Sequence, residues 1–171
     1  MGNIVLIGMP SCGKSTMGVL LAKALGYKFL DSDLLIQERE GKLLHELIKE
    51  HGNEGFTKIE NEANLTINVD NTIISTGGSI VYCKEAMEHL GSIGKLLYIK
   101  ISYETLEERL GDYTHRGVVM PAGYTLRDMY DERCALYEKY AEYTIETDNM
   151  NMTETLDKLS ELCLEIIGTE N

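Results

Sequence analysis

The sequence contains few basic residues, and this scarcity limits what the protein can bind. Its 171 residues include 16 Lys and Arg against 28 Asp and Glu, which gives a formal net charge of −12. Proteins that bind a nucleic-acid backbone draw their affinity from clustered Lys and Arg. The charge therefore argues against nucleic acid as a partner, but it allows a small anionic ligand that needs only a local group of donors.

Long apolar runs, a basic leader and paired cysteines are also missing. No apolar stretch approaches the ~18 residues that a membrane-spanning helix needs, and Met1 is followed directly by a short apolar run. The four cysteines are scattered without a CxxC pair, so neither a zinc site nor a disulfide framework is indicated. We therefore expect reduced thiols, no membrane partner and a cytoplasmic location.

Short apolar runs alternate with helical periodicities along the chain. Five runs are typical of strands, and they lie at residues 3–8, 27–31, 71–78, 94–101 and 143–147. Two helical stretches, 43–51 and 56–69, are separated by Gly52 and Gly55, which predict a break. We expect one domain over residues 1–171, an α/β fold of three layers in which helices cover both faces of a five-stranded parallel sheet. Residues 111–123 lack a clear period, so we predict a mobile loop there.

The segment GMPSCGKST, residues 8–16, satisfies the pattern GxxxxGK[ST] between the first predicted strand and the first predicted helix. Glycines in this motif let backbone N–H groups surround phosphate oxygens, and the helix N-terminus adds its positive dipole. Lys14 is expected to reach the outer phosphates of a nucleotide, and Ser15 to offer its hydroxyl group to Mg²⁺. The predicted cofactor-binding residues in the loop are Gly8, Ser11, Cys12, Gly13, Lys14, Ser15 and Thr16. We predict no redox role for Cys12.

The second predicted strand ends in DSD, which brings Asp31 and Asp33 to the carboxyl edge of the sheet, near the expected phosphates. Asp31 could hold Mg²⁺ there, directly or through water, while Asp33 could orient an attacking hydroxyl group or accept its proton. Either carboxylate could instead cap the helix that follows.

Two charged residues fall on the apolar faces of predicted helices. Arg133 belongs to the apolar stripe of a helix at 125–142, and Glu60 to the stripe of the helix at 56–69. An arginine on an inward face needs an anionic partner, because a buried unpaired charge is costly. That partner could be a substrate or a structural salt bridge.

The sequence resembles the shikimate kinase family of small P-loop kinases along nearly its whole length. The segments that carry the likeness are GMPSCGKST, FLDSD, GNEGFTKIE, ISTGGS, HRG and ERCALYEKYAEYTI, in the order and spacing of that family's motifs. The resemblance implies a P-loop kinase fold with a lid at about 111–123, and Mg²⁺-dependent transfer of the γ-phosphoryl group of ATP to a small hydroxylated acid. The acceptor that it implies is shikimate, converted to shikimate 3-phosphate in aromatic amino-acid biosynthesis. We also expect a monomer.

Residue by residue, the resemblance implies catalytic roles for Lys14, Asp33 and Arg116, and a metal site at Ser15 and Asp31. Arg116 matches the lid arginine that reaches ATP. The substrate site that it implies contains Asp33, Thr57, Glu60, Gly77, Gly78, Ser79 and Arg133.

Three places depart from the family's pattern, all of them at the acceptor or the lid. Thr57 stands where the family has a second arginine for the substrate carboxylate, which an inward glutamate, here Glu60, orients. Ser79 takes the third place of a glycine triplet, and the lid reads RGVV where proline and leucines usually follow the arginine. Lys58 is not an obvious replacement for the arginine, because neighbours in sequence point in different directions around a helix. We therefore expect Glu60 to pair with Lys58 or Arg133, or to bind a polar group of a different acceptor.

Four functions are compatible with these residues. They are a kinase for shikimate, a kinase for another small hydroxylated metabolite, a nucleoside monophosphate kinase, and a nucleotide-binding module without catalysis. A nucleotide acceptor would require a second set of arginines, which we do not find. Loss of catalysis is disfavoured because Lys14, Ser15, Asp31 and Asp33 are all retained. A shikimate kinase is the leading hypothesis.

Overall fold

The structure is a computed structural model, and it describes residues 2–111 and 118–168. Arg116 and the HRG motif lie outside the described residues. Five parallel strands form one sheet in the order β2-β3-β1-β4-β5. The strands are β1 (Asn3–Ile7), β2 (Lys28–Asp31), β3 (Thr72–Ser75), β4 (Gly94–Lys100) and β5 (Tyr143–Glu146). The predicted α/β fold with a five-stranded parallel sheet is confirmed.

Helices follow each strand. They are α1 (Lys14–Leu25), α2 (Ser32–Glu40), α3 (Leu44–Leu65), α4 (Lys84–Ile93), α5 (Tyr103–Leu110), α6 (Leu126–Tyr140) and α7 (Met152–Gly168), with a 3₁₀ turn at Ile80–Tyr82. Helices α1, α2, α4 and α6 contact the sheet directly. Helix α1 contacts β3 and α7, while α4 and α6 contact β4. None of the described helices combines the length and the apolar character that crossing a bilayer requires.

The central strand β1 is buried along its whole length, as its continuous apolar run predicts. Its one polar residue, Asn3, bonds to backbone groups of three other segments. Its side-chain nitrogen donates to the carbonyls of Val69 (2.6 Å) and Ile93 (2.9 Å), and its oxygen accepts from the Thr72 amide (3.0 Å). These bonds satisfy backbone groups at the amino edge of the sheet. Ligands of parallel α/β sheets bind at the opposite edge, where the strands have their carboxyl ends.

The predicted break between two helices is a kink within one helix. Helix α3 runs from Leu44 to Leu65 and departs from helical geometry at Gly52, where φ is 68° and ψ is 179°. Glycine adopts this conformation without the steric penalty of a side chain. The helix ends four residues before the predicted end at residue 69. Its second half carries the inward face that includes Glu60.

Helix α6, which carries Arg133, begins with a capping box. The Thr125 hydroxyl oxygen accepts from the Asp128 amide (3.1 Å), and the Asp128 carboxylate accepts from the Thr125 amide (2.8 Å). Two backbone donors that the helix itself leaves unpaired are satisfied in this way.

Replacing Thr125 with Ala is expected to lower the free energy of unfolding by about 1 kcal/mol, the usual effect of losing an N-cap side chain. Urea unfolding followed by circular dichroism would measure the change. Thr153→Ala, at an exposed position in α7, is the matched control and should change the stability by less than about 0.5 kcal/mol. Equal losses in the two variants would contradict the capping role.

Candidate active site

A cleft of about 310 Å³ lies at the carboxyl ends of β1, β2 and β3. Most of the predicted site residues line it, and these are Ser11, Gly13, Lys14, Ser15, Thr16, Asp33, Glu60, Gly77, Gly78, Ser79 and Arg133. Gly8, Cys12, Asp31 and Thr57 do not line the cleft. The structure thus brings residues from five separate segments of the chain to one cavity.

Six residues that were not predicted as site residues complete the cleft wall. The additional lining residues are Pro10, Leu44, Phe56, Thr76, Val118 and Val119. The apolar ones resemble core residues in the sequence, because a helical stripe of apolar side chains does not reveal whether it faces a core or a ligand. Five of the six lie in segments that the sequence singles out, namely Pro10 in GMPSCGKST, Phe56 in GNEGFTKIE, Thr76 in ISTGGS and the two valines in RGVV, whereas Leu44 lies in none.

The phosphate loop surrounds the ammonium group of Lys14. Its Nζ atom donates to the carbonyls of Gly8 (2.8 Å) and Met9 (2.7 Å), and the side chain is buried. Gly8 has a φ of 149°, and a Cβ atom there would lie 2.6 Å from the Ile99 carbonyl oxygen, so only glycine fits. Gly13, with a φ of 101°, precedes α1, whose first turn has no side-chain cap. The N–H groups at the start of α1 therefore make this end of the cleft suited to an anion.

Cys12 lies beneath the phosphate loop and not in the cleft. Its side chain is 3% exposed, and its sulfur lies 3.7 Å from the Lys14 ammonium nitrogen. A Cβ atom on Gly8 would lie 2.9 Å from the same sulfur. The Cys12 side chain therefore fills space beneath Gly8 and Lys14.

Ser15, in the first turn of α1, lies close to the carboxyl end of β3. Its hydroxyl oxygen lies 3.3 Å from that of Ser75, and Ser75 is the register partner of Asp31 across β2 and β3. Asp31 also accepts a hydrogen bond from the Asp33 amide (2.9 Å), so it caps α2, while Asp33 lies in the first turn of that helix. Hydroxyl and carboxylate oxygens are the ligands that Mg²⁺ prefers, and Ser15 and Asp31 could contribute one each.

Within residues 2–111 and 118–168, no group of three or more His, Cys, Asp or Glu side chains could hold a metal ion by itself. Mg²⁺ in kinase sites needs only one or two protein ligands, since substrate phosphates and water complete its octahedron. The donor set around Ser15 therefore fits an ion that arrives with a nucleotide better than a resident metal.

Asp33 is a partly buried acid of the cleft. Burial and the neighbouring charge of Asp31 raise the pKa of Asp33 to about 6, and the charge of Lys14 partly opposes this shift. A Cβ atom on Gly77 would lie 2.9 Å from its Oδ1 atom, so this oxygen faces the turn after β3. A carboxylate that titrates close to neutral pH can orient a hydroxyl group and accept its proton.

Glu60 has a partner that sequence analysis did not predict. Its Oε2 atom accepts a hydrogen bond from the Ser79 hydroxyl (2.7 Å), and it forms no ion pair with Lys58 or Arg133. Both expected pairings are therefore wrong. Burial raises the pKa of Glu60 to about 7, although the Ser79 hydrogen bond lowers it, and the charge of Asp33 adds to the rise. The sequence marked both Ser79 and Thr57 as departures from the family's pattern, but it did not indicate that Ser79 is the partner of Glu60.

Thr57 points away from the cleft. Its hydroxyl donates to the Asn53 carbonyl (2.9 Å), one turn earlier in α3. It lines a second cavity, of about 810 Å³, together with Tyr82 and Pro121. The structure does not bring Thr57 to the other predicted substrate residues.

Arg133, on α6, supplies a buried cation to the wall of the cleft. It is 1% exposed, donates to the carbonyl of Val119 and the hydroxyl of Tyr82 (3.4 Å), and stacks 5.2 Å from the Tyr82 ring centre. A Cβ atom on Gly78 would lie 3.2 Å from its Nη1 atom. No carboxylate in the described part of the chain forms an ion pair with it. Of the two partners that the sequence allows for Arg133, the structural salt bridge is therefore absent from the described residues. The charge is available to an anionic ligand.

Comparisons with known proteins agree with the motifs. The family model for shikimate kinase matches residues 10–164. A shikimate kinase of Clostridium botulinum (strain Okra / Type B1) is 38% identical over 163 residues, which cover 93% of this chain and 94% of that protein. The structure of shikimate kinase from Acinetobacter baumannii in complex with shikimate matches with a TM-score of 0.83 and 27% identity, covering 100% of this chain and 95% of that one. Shikimate kinase from Aquifex aeolicus vf5 matches with a TM-score of 0.79 and 30% identity, covering 98% of both chains. The chain therefore belongs to the shikimate kinase family, which transfers phosphoryl groups to an alcohol group.

Proposed function

We propose that this protein transfers the γ-phosphoryl group of ATP to a hydroxyl group of shikimate and forms shikimate 3-phosphate in aromatic amino-acid biosynthesis. One observation carries the proposal: the phosphate loop, the carboxylate of Asp33 and the buried cation of Arg133 line the same cleft of about 310 Å³. Membership of the family supports ATP as the donor and shikimate as the acceptor. Since every described strand belongs to one sheet, we propose that residues 1–171 act as a single P-loop kinase domain with a lid at about 111–123.

In the proposed mechanism, the donor's phosphates bind the loop and the acceptor binds the opposite wall. Lys14 and the first N–H groups of α1 neutralise negative charge on the phosphoryl group as it moves. Asp33 orients the acceptor hydroxyl for in-line attack and accepts its proton as the new P–O bond forms and the bond to ADP breaks. Arg133 binds the acceptor's carboxylate, and Arg116 of the lid reaches ATP.

We propose Ser15 and Asp31 as the residues that hold Mg²⁺. When bound, the ion would supply positive charge that offsets the negative charge of the donor's phosphates. The hydrogen bond from the Asp33 amide to Asp31 Oδ1 (2.9 Å) fixes the orientation of this carboxylate. The Asp31 carboxylate therefore keeps a fixed orientation at the end of β2.

Thr57→Arg tests the identity of the acceptor. In a coupled ADP-release assay the wild type should turn over shikimate, and the variant should lower its KM by about 10- to 100-fold. A charged hydrogen bond to a carboxylate contributes ~1.5–3 kcal/mol, and tenfold corresponds to ~1.4 kcal/mol. The second cavity, of about 810 Å³, leaves room for the longer side chain, and it adjoins the cleft at Val119, which lines both.

Thr57→Met is the matched control, because it adds a side chain of comparable length without a charge. Equal KM values for the Arg and Met variants would contradict carboxylate binding at this position. If neither the wild type nor Thr57→Arg acts on shikimate while another small hydroxy acid or polyol is phosphorylated, the acceptor is a different metabolite.

A further inference from the structure

We infer that Glu60 is a binding residue for a second hydroxyl group of the acceptor, and that Ser79 is the positioning residue that holds Glu60 in the cleft. The inference rests on the proposed kinase function and adds a determinant of acceptor choice. In the family's pattern this glutamate orients an arginine. Because position 57 is Thr in this chain, Glu60 has no such arginine to orient.

The first observation is an unsatisfied oxygen. Glu60 is 0% exposed, and its Oε1 atom is buried without a hydrogen-bond partner. A buried polar atom without a partner costs ~1–3 kcal/mol, and folded proteins rarely leave one so. A ligand that donates a hydrogen bond in the cleft would remove this cost.

The second observation is where that oxygen points. Glu60 lines the cleft, and a Cβ atom on Gly77 would collide with its Oε1 atom and lie 2.9 Å from Asp33 Oδ1. The two carboxyl oxygens thus face the same point on the turn after β3. Asp33 is assigned to the reacting hydroxyl, so a second hydroxyl on a neighbouring carbon would meet Glu60.

The third observation is the role of Ser79. Its hydroxyl is 2.7 Å from Glu60 Oε2 and is itself buried, so it occupies one carboxyl oxygen and leaves the other for a ligand. A glycine at position 79 would lack this donor. Thr57 meanwhile donates to the Asn53 carbonyl and does not line the cleft. Recognition is therefore shifted from the carboxylate towards the hydroxyl groups, and the acceptor class that fits is a small compound with adjacent hydroxyl groups.

The test measures KM and kcat of the wild type and of Glu60→Gln. The substrates are shikimate and two analogues of it, and each analogue lacks one of the two hydroxyl groups that do not receive the phosphoryl group. In the wild type, removing the hydroxyl that meets Glu60 should raise KM by about tenfold, with a smaller change in kcat. In Glu60→Gln the Ser79 hydroxyl would bond to the amide oxygen and turn the amide nitrogen to the cleft. The KM of Glu60→Gln for shikimate should then be about tenfold higher than that of the wild type. Its KM for the analogue without this hydroxyl should be no higher than its KM for shikimate.

Ser79→Ala keeps the carboxyl group of Glu60 and removes only the hydrogen bond that Ser79 donates to it. This variant can therefore test the inference if Glu60→Gln does not fold. It should raise the KM for shikimate and reduce the penalty for the missing hydroxyl. Glu62→Gln, an exposed position in the same helix, is the matched control and should behave as the wild type.

The outcomes separate the inference from the proposed function. If the wild type acts on shikimate but the missing hydroxyl raises KM by the same factor in the wild type, Glu60→Gln and Ser79→Ala, the inference is wrong and the proposed function stands. If the wild type transfers no phosphate to shikimate, the proposed function is wrong, and the inference fails with it.

Discussion

Lys14→Met is expected to reduce kcat by at least about a hundredfold, because it removes the cation that the phosphate loop holds beside the transferred group. Removing one preorganised donor from such a site costs ~2.7–4 kcal/mol of transition-state stabilisation. The ammonium group of Lys14 is buried and lies inside the phosphate loop, where it donates to two carbonyls at 2.8 and 2.7 Å. Release of ADP and formation of a phosphorylated acceptor, followed by mass spectrometry, would measure the loss.

Lys23→Met is the matched control, since it makes the same change at an exposed position on the same helix. It should retain the activity of the wild type. Because Lys14→Met leaves the Gly8 and Met9 carbonyls without this donor, thermal unfolding should accompany the assay to show that the variant is folded. Turnover by folded Lys14→Met close to that of the wild type would refute the catalytic assignment of this residue.

The donor half of the site was predictable from sequence because it is local. Nine consecutive residues, 8–16, form the loop and the start of α1, and the glycines at its two ends adopt the positive φ values that the motif requires. A contiguous segment with a fixed backbone shape can be recognised without knowledge of tertiary contacts. The parallel sheet was predictable for a similar reason, since apolar runs such as residues 3–8 and 94–101 reveal strands buried on both faces.

The acceptor half depends on contacts between distant segments. Glu60 and Ser79 are nineteen residues apart and lie on α3 and on the turn after β3, so no spacing in the sequence indicates their hydrogen bond. Thr57 was assigned to the substrate site by its place in a motif, yet its hydroxyl bonds to the carbonyl one turn earlier. Threonine in a helix commonly does this, and the bond competes with any contact to a ligand.

The end of β3 shows the same limit. The apolar pattern predicts a strand over residues 71–78, but β3 ends at Ser75. Both the amide and the hydroxyl of Thr76 donate to the Leu6 carbonyl, at 3.3 and 2.9 Å, and the chain then turns along the cleft. Gly77 and Gly78 permit the close approach of Glu60, Asp33 and Arg133, which a strand at this place would not allow.

Glu60→Gln is expected to remove a pH-dependent loss of stability. Burial raises the pKa of Glu60 from its ordinary value of 4.5 to about 7, with Ser79, Arg133 and Lys14 opposing the shift and Asp33 adding to it. Between these two values the folded state keeps a proton that the unfolded state has released. The stabilisation from protonated Glu60 is therefore fully present below pH 4.5 and is lost as the pH rises through about 7.

At ~1.4 kcal/mol for each pKa unit, this loss is about 3 kcal/mol. Gln does not titrate, so the free energy of unfolding of Glu60→Gln should rise relative to the wild type by about 3 kcal/mol between about pH 4 and about pH 8. Urea unfolding at a series of pH values would measure the difference. Glu62→Gln, whose side chain is 63% exposed, should follow the wild-type curve, and parallel curves for the wild type and Glu60→Gln would contradict the buried titration.

The stability cost and the binding role of Glu60 have one cause. An ionised carboxylate in the cleft is costly because Ser79 provides the only hydrogen bond that it receives from the described residues. The same missing bond leaves Oε1 free to accept a hydrogen bond from a hydroxyl group of the acceptor. A bound acceptor should therefore stabilise the wild type more than Glu60→Gln in thermal unfolding, and the excess should grow as the pH rises through about 7. An equal stabilisation of both proteins at every pH would show that the acceptor does not contact Glu60.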